Sequence, residues 1–355
     1  MSGSNRAYWD MLQVGTLLQI QGGLEHPSGE VPPDELHFVV VHQVYELWFK
    51  LILSELREAR DHLGRTSVPE VDIPYVVSHL RRVSSVLSLC VEQWNVMETL
   101  SPQDFLAFRA RLGTASGFQS HQLRMIEMLL GIDEPERRSH LAAADPVDPI
   151  DFILRATADC KPESDGAFVH KEIAAARTER TFYEALRAWL HRTPIDGSTP
   201  DTLDDSARIE AFLEAFIVRS SKPTEARDWL FAVDAAGLPD QRLRRIRAAV
   251  LFIESYRALP LLAWPRLLLD TVVEVEQQFT LWRARHARMV ERVIGKRPGT
   301  GGSDGVAYLD RTARYRIFKD LWEVRGFLLP ESELPPLQHK NFYYRFPEEP
   351  SSEAT

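Results

Sequence analysis

The chain has 355 residues, 44% of them hydrophobic, with 42 basic against 51 acidic side chains and a formal net charge of −9. That length supports a large buried core, and the acidic balance argues against nucleic acid or an anionic membrane as the main partner. Two cysteines, Cys90 and Cys160, with no CxxC pair, argue against a disulfide framework and a cysteine zinc site. The opening MSGSNRAYWDML lacks a basic-then-apolar signal pattern, and no run of about 18 apolar residues occurs, so the protein reads as soluble and cytoplasmic.

The first long breaker-free stretch runs from Asp34, a candidate N-cap, to Gly64, a candidate C-terminal stop. Phe38, His42, Tyr45, Phe49, Ile52 and Leu56 recur along it at spacings of three and four, which places one imidazole on an aromatic face. Pro74 opens a second long helix that stops before Ser101-Pro102. Ser101 and Asp104 have the S-x-x-D form of a capping box and start a short helix to Leu112. The linker GTASG leads to FQSHQLRMIEMLL, closed by Gly131. Residues 132–204 are rich in Asp, Pro and Ser and are broken by the shorter helix TERTFYEALRAWLHR, so they read as an inserted region lying over a helical core.

Helices resume near Ser206. The longest is framed by Pro265 and Gly295 and carries Val272, Val275, Phe279, Trp282, His286, Met289 and Val293 on one face, while Arg283, Arg285 and Arg288 are expected to reach outward. The tail from Pro330 is expected to be irregular. No period-2 stretch bounded by hairpin turns appears, so the class is all-α: a multi-helix bundle with an inserted helical and loop region. The expected division is 1–131 and 205–330 as two halves of the helical core, 132–204 as the insertion and 331–355 as the tail.

Two long helices that each aim a histidine into the core suggest a shared buried ligand. A metal or a haem suits neutral imidazole, and without CxxCH a haem would be held non-covalently. The bland alternative is a pair of core histidines satisfied by neighbouring carbonyls. KRPGTGGSDG, residues 296–305, follows a helix C-terminus and has neither GxGxxG nor GxxxxGK[ST]. It therefore suits a mobile flap with Thr300 and Ser303 as hydroxyl donors better than a phosphate loop.

Three blocks, HFVVVHQVYELWFKLIL, SPQDFLAFRARLGTASGFQSHQLRMIEMLLG, and LWRARHARMV followed by GKRPGTGGSDGVAYL, resemble the tryptophan 2,3-dioxygenase family, from Tyr8 to about Pro330. The resemblance implies an all-α homotetramer with b-type haem that acts with dioxygen on tryptophan. By the same resemblance His286 is the proximal haem ligand and His42 the distal histidine beside the indole nitrogen. Arg109 grips the amino-acid carboxylate, Phe38 and Phe105 wall the indole, and Ser116 lies near a haem propionate. Thr300 meets the substrate ammonium, and Tyr8 reaches into a neighbouring subunit's pocket by exchange of the N-terminal segment. Read from the sequence alone, Arg109 is no more than a surface helix charge.

Two positions depart from the family pattern: Met11, where a second N-terminal tyrosine is usual, and Glu291, where a histidine follows the proximal one. Methionine is adaptable, so Met11 would admit a bulkier substrate such as a β-methylated tryptophan. The expected function is therefore oxygenation of the indole C2=C3 bond of L-tryptophan or a close analogue. The alternatives are a monooxygenase of a modified tryptophan in secondary metabolism and a non-catalytic haem or indole sensor.

Overall fold

The structure, a computed structural model, describes residues 7–22, 31–113, 115–139, 148–231, 233, 237–295, 297 and 305–344. Among them there is no β-strand, only the isolated bridges Ile195 to Ser198 and Val233 to Pro239, and the fold is all-α as expected.

The chain opens with two short helices, α1 (Tyr8–Met11) and α2 (Val14–Leu17), which bury none of their residues. The centre is built from α3 (Pro33–Leu63), α4 (Ile73–Met97) and, far later in the chain, α14 (Ala263–Ile294). α4 packs extensively against both of the others. The periodic stripes explain why. Tyr45, Phe49, Ile52 and Leu56 of α3 are buried, as are Val272, Val275, Phe279, Trp282, Met289 and Val293 of α14. Tyr45 adds a polar tie, its hydroxyl donating to the Cys90 carbonyl at 2.9 Å. α3 is long and apolar enough to cross a membrane by length and composition. Here it packs against α4, α6 and α10 in the core.

Both long helices start slightly earlier than the sequence pattern suggests. Asp34 does not cap α3. Pro32 holds the cap position with no side-chain bond, and Asp34 sits in the first turn, where its charge meets the positive end of the helix dipole. α14 starts two residues before Pro265, which is tolerated there because a first-turn amide has no helical partner to lose. Gly295 ends α14 with φ of +62°, a backbone state that L side chains rarely adopt.

Beyond α4 the chain forms α5 (Pro102–Arg109), capped by Ser101, whose hydroxyl accepts the Asp104 amide at 3.2 Å. A 3₁₀ turn, Ala110–Leu112, follows it. A second 3₁₀ turn, Gly117–Gln119, is closed by a Ser116–Gln119 capping box and leads to α6 (His121–Leu130), capped by Ser120.

The stretch 132–204 holds more helix than its composition suggests: α7 (Glu134–Ser139), α8 (Pro149–Thr157), α9 (Asp165–Ala176) and α10 (Phe182–Arg192). Asp148, Ser164 and Thr181 cap the last three, so the Asp and Ser that read as loop act as helix starts, and Thr181 caps near the start of the expected helix TERTFYEALRAWLHR. α10 does not lie over the core. Its Phe182, Ala185, Leu186 and Leu190 are buried where it packs against α3 and α13.

The rest of the chain runs through α11 (Asp205–Ile217), α12 (Pro223–Leu230), α13 (Gln241–Ser255), α14, α15 (Val306–Thr312) and α16 (Lys319–Glu323). The described part of the tail, to residue 344, has short 3₁₀ turns and is anchored. Tyr343 is buried, and the backbone amides of Gln338 and His339 each donate to Asp196 at 2.8 Å.

Candidate active site

α3, α4, α5, α6, α14, α15 and the Ser116 turn line a partly open cavity of about 470 Å³. His42, Phe38, Phe105, Arg109, Ser116 and His286 all line it, so six of the predicted site residues meet although they come from opposite ends of the chain. Thr300 lies outside the described residues, as does Ser303. Tyr8 and Met11 stand apart from the cavity on α1, 68% and 62% exposed.

His42 sits at one wall. Its Nδ1 donates to the Phe38 carbonyl at 2.7 Å, one helical turn back. A carbonyl only accepts, so the ring is the Nδ1–H tautomer and Nε2 keeps a free lone pair. Burial holds this imidazole below the usual histidine range, despite the opposing effects of the Phe38 carbonyl and nearby Glu46. Phe38 lies 4.1 Å from the His42 ring, ring centre to ring centre, and 5.9 Å from Phe105. Phe108 closes the group at 5.4 Å from Phe105. A flat apolar slot thus leads to a neutral hydrogen-bond acceptor, with the half-buried Arg109 one turn along α5 from Phe105.

His286 lines the same cavity from α14. Its ring stacks on Trp94 at 4.7 Å with planes 3° from parallel, and Trp282 lies 5.4 Å away. Two indoles fix the ring plane. Burial, then His42 and Arg124, push its pKa down to about 3, so the imidazole is neutral. Among the described residues it has no hydrogen-bond partner, and its remaining accessible surface borders the cavity.

A third element was not legible in the sequence. Arg124 and Glu127 of α6 pair at 2.8 Å, and Arg283 of α14 pairs with Glu127 at 2.9 Å. All three are buried and all three line the cavity. Arg283, expected to reach solvent, is 4% exposed. It stands three residues before His286 and four after Phe279, hence on the inward face, and its guanidinium lies 4.1 Å over the Phe279 ring. Arg285 and Arg288 do keep partial or full exposure. Two guanidiniums against one carboxylate leave a buried positive charge, and the Arg124 Nε has no hydrogen-bond partner. Such a charge calls for an anion in the cavity. Glu46 completes this side, accepting the Ser120 hydroxyl at 2.7 Å and Gln122 Nε2 at 2.8 Å, which pins the start of α6 to α3.

The donor set can be tested against a metal cofactor. Among the described residues no three His, Cys, Asp or Glu side chains converge as a metal site. His286 offers one neutral, unengaged ligand in a roomy, largely apolar cavity lined by the guanidiniums of Arg109, Arg124 and Arg283 against the carboxylates of Glu46 and Glu127. That combination suits a metal already chelated in an apolar macrocycle bearing anionic arms, and haem fits it.

The low pKa of His286 has a consequence for the cofactor-free protein. Its ring stays neutral when folded down to about pH 3 but titrates near 6.5 when unfolded. Protons therefore favour the unfolded chain below pH 6.5. We expect the cofactor-free protein to lose up to about 1.4 kcal/mol of stability per pH unit, per histidine so held, as pH falls from 6.5 toward 3. Denaturant melts across this range should show that slope, and His286→Gln should reduce it.

Comparison with known proteins converges on the same point. The tryptophan 2,3-dioxygenase family model matches residues 1–219 and 240–328. The chain is 43% identical to tryptophan 2,3-dioxygenase 2 of Ralstonia nicotianae, over 97% of this chain and 98% of the relative. It is 42% identical to tryptophan 2,3-dioxygenase of Sorangium cellulosum, over 95% of this chain and 86% of the relative. A tryptophan 2,3-dioxygenase-like protein of Xanthomonas campestris is 41% identical over 69% of this chain. With the cavity and its two histidines in view, the chain is an enzyme of the tryptophan 2,3-dioxygenase family.

Proposed function

We propose that the protein is a haem-dependent dioxygenase that opens the indole C2=C3 bond of L-tryptophan or a close analogue, giving an N-formylkynurenine-type product. The observation that carries this reading is the pairing of two unlike histidines across one cavity. His286 is neutral, unengaged and fixed by two indoles, while His42 is locked as an acceptor beside an aromatic slot.

His286 would ligate the iron of a b-type haem, with Ser116 and the Arg124–Glu127–Arg283 array beside its propionates. Haem, when bound, supplies a ferrous iron at which dioxygen is activated. The protein's own contribution is positioning. Phe38 and Phe105 hold the indole ring by its faces, and the slot excludes water. His42 Nε2 accepts the indole N1–H, which raises electron density at C3 as the ring reacts. Arg109 grips the carboxylate with a two-pronged guanidinium, and Thr300 would meet the ammonium from the loop after α14. The amino-acid clamp favours an enzyme over a haem or indole sensor, which would need no carboxylate partner.

Turnover of tryptophan under ¹⁸O₂, read by mass spectrometry, tests the reaction. Two labelled atoms in the initial product are expected. Incorporation of one would replace this reading with a monooxygenase.

We further propose a cytoplasmic homotetramer in which the N-terminal segment of one subunit covers a neighbour's pocket. Support comes from α1 and α2, where Tyr8, Trp9, Met11, Leu12 and Leu18 stand in solvent, an arrangement unfavourable for an isolated subunit. Met11 then sets the room beside the substrate. A methyl group in an apolar pocket changes binding by about 1–3 kcal/mol. Wild type is expected to accept β-methyl-tryptophan at least as well as tryptophan, and Met11→Tyr should shift the ratio of kcat/KM values back toward tryptophan. An unmoved ratio, or a monomer by light scattering, removes the modified-substrate alternative.

A further inference from the structure

A second depression, also about 470 Å³, lies away from the active site between α10 and the first turns of α11 and α13. His191, Thr202, Ser206, Arg242, Arg244 and Arg245 line it. In a chain of net charge −9 it is a basic hollow, and its charges can be followed one by one.

Arg245 is structural. It is buried, pairs with Asp205, and donates to the carbonyls of His191 at 2.7 Å and of Thr193 and Ser198 at 3.1 Å. Asp205, which also lines the depression, is thereby neutralised and further accepts the Ser198 hydroxyl at 2.8 Å. Arg242 and Arg244 remain. Arg242 is exposed and has no acidic partner among the described residues. Arg244 reaches only the exposed Glu210, at 3.9 Å, and its buried Nε has no hydrogen-bond partner. Its guanidinium is steadied 4.4 Å over the Phe231 ring.

These two cations occupy the first turn of α13, where the helix dipole disfavours positive charge, so their placement works against the helix itself. The adjoining first turn of α11 lacks a side-chain cap, because the Asp204 carboxylate is drawn to Arg208 Nε at 2.9 Å. Arg242, Arg244 with only the distant, exposed Glu210 among the described residues, the α11 start without a side-chain cap, Ser206, and Thr202, whose hydroxyl accepts the Thr199 amide at 3.0 Å, therefore line one hollow. A dianion balances two positive charges, and oxyanions suit both guanidinium forks and helix amides. Pro200, Leu203 and Ile209 add apolar wall for a carbon skeleton.

We propose that this depression is a binding site for a small phosphate monoester. The site is independent of the haem reading and shares no residue with the active-site cavity. Calorimetric titration of the holoenzyme with ribose 5-phosphate, inorganic phosphate and succinate tests it. Ribose 5-phosphate should bind saturably and more tightly than either comparator. Arg242→Glu, at an exposed position, should weaken that binding about tenfold or more with melting temperature unchanged. Arg81→Glu, on the exposed face of α4, and Arg109→Ala in the active site should leave it as it is. Absence of saturable binding by all three probes, or binding indifferent to Arg242→Glu, overturns the site. Succinate binding as tightly as the ester overturns the phosphate assignment, and inorganic phosphate matching the ester reduces it to a free-ion site.

Discussion

Replacing His286 by alanine is expected to remove most of the haem from the purified protein, seen as loss of the Soret band relative to protein absorbance. His286 is the lining imidazole that is neutral, stacked on Trp94 with Trp282 tilted beside it, and without a hydrogen-bond partner among the described residues. Its loss would leave the cofactor held only by apolar contacts and the charged array of Arg124, Glu127 and Arg283. His42→Ala should behave differently. Its Nδ1–H is held by the Phe38 carbonyl and its free Nε2 is assigned to the indole N1–H instead of to iron, so haem content should survive while turnover drops. If His286→Ala kept full haem occupancy and an unaltered ferrous spectrum, the ligand assignment would be wrong. If His42→Ala lost haem equally, the two roles would have to be redistributed.

The second large effect is expected at Arg109. Truncating one partner of a partly desolvated charge pair costs about 2–5 kcal/mol, so Arg109→Ala should raise KM for tryptophan by about 30-fold or more. Indole and 3-methylindole lack the carboxylate and should be turned over much as before. Equal losses on all three substrates would mean that Arg109 supports the shape of the α5 turn instead of binding substrate.

The sequence carried the fold class and the two histidine helices because their signal is periodic and local. Stripes at spacings of three and four, closed by glycine and opened near proline, are legible without knowing what they pack against. Arg283 was misjudged for the complementary reason. Its charge suggested solvent, whereas its spacing from Phe279 and His286 placed it inward, where Glu127 and the Thr312 carbonyl, both distant in sequence, make that tolerable. Arg124 and Glu127 stand at i and i+3 on α6, a pattern equally common on solvated helices. The stretch 132–204 reads as an inserted, loop-rich region because Asp, Pro and Ser are frequent in it. Asp and Ser also cap helices, and which role they play at 148 and 164 is decided by the apolar faces that follow. The stacking of Trp94 on His286 had no local signal at all, since α4 meets α14 only in three dimensions.

That meeting has a consequence for biogenesis. α3 and α4 are neighbours in the chain and can pair as soon as they leave the ribosome, but α14 is made long afterwards. Until then the aromatic stripe of α3, a helix long and apolar enough to cross a membrane by length and composition, lacks the Trp282 ring that meets Tyr45 and Phe49. The pocket wall that bears His42 waits, half built, for the wall that bears His286. Contacts of such wide sequence separation form late and slowly. Nascent chains stalled before α14 should therefore be prone to aggregation and to capture by chaperones, and the proposed haem capture through His286 would come after synthesis of α14.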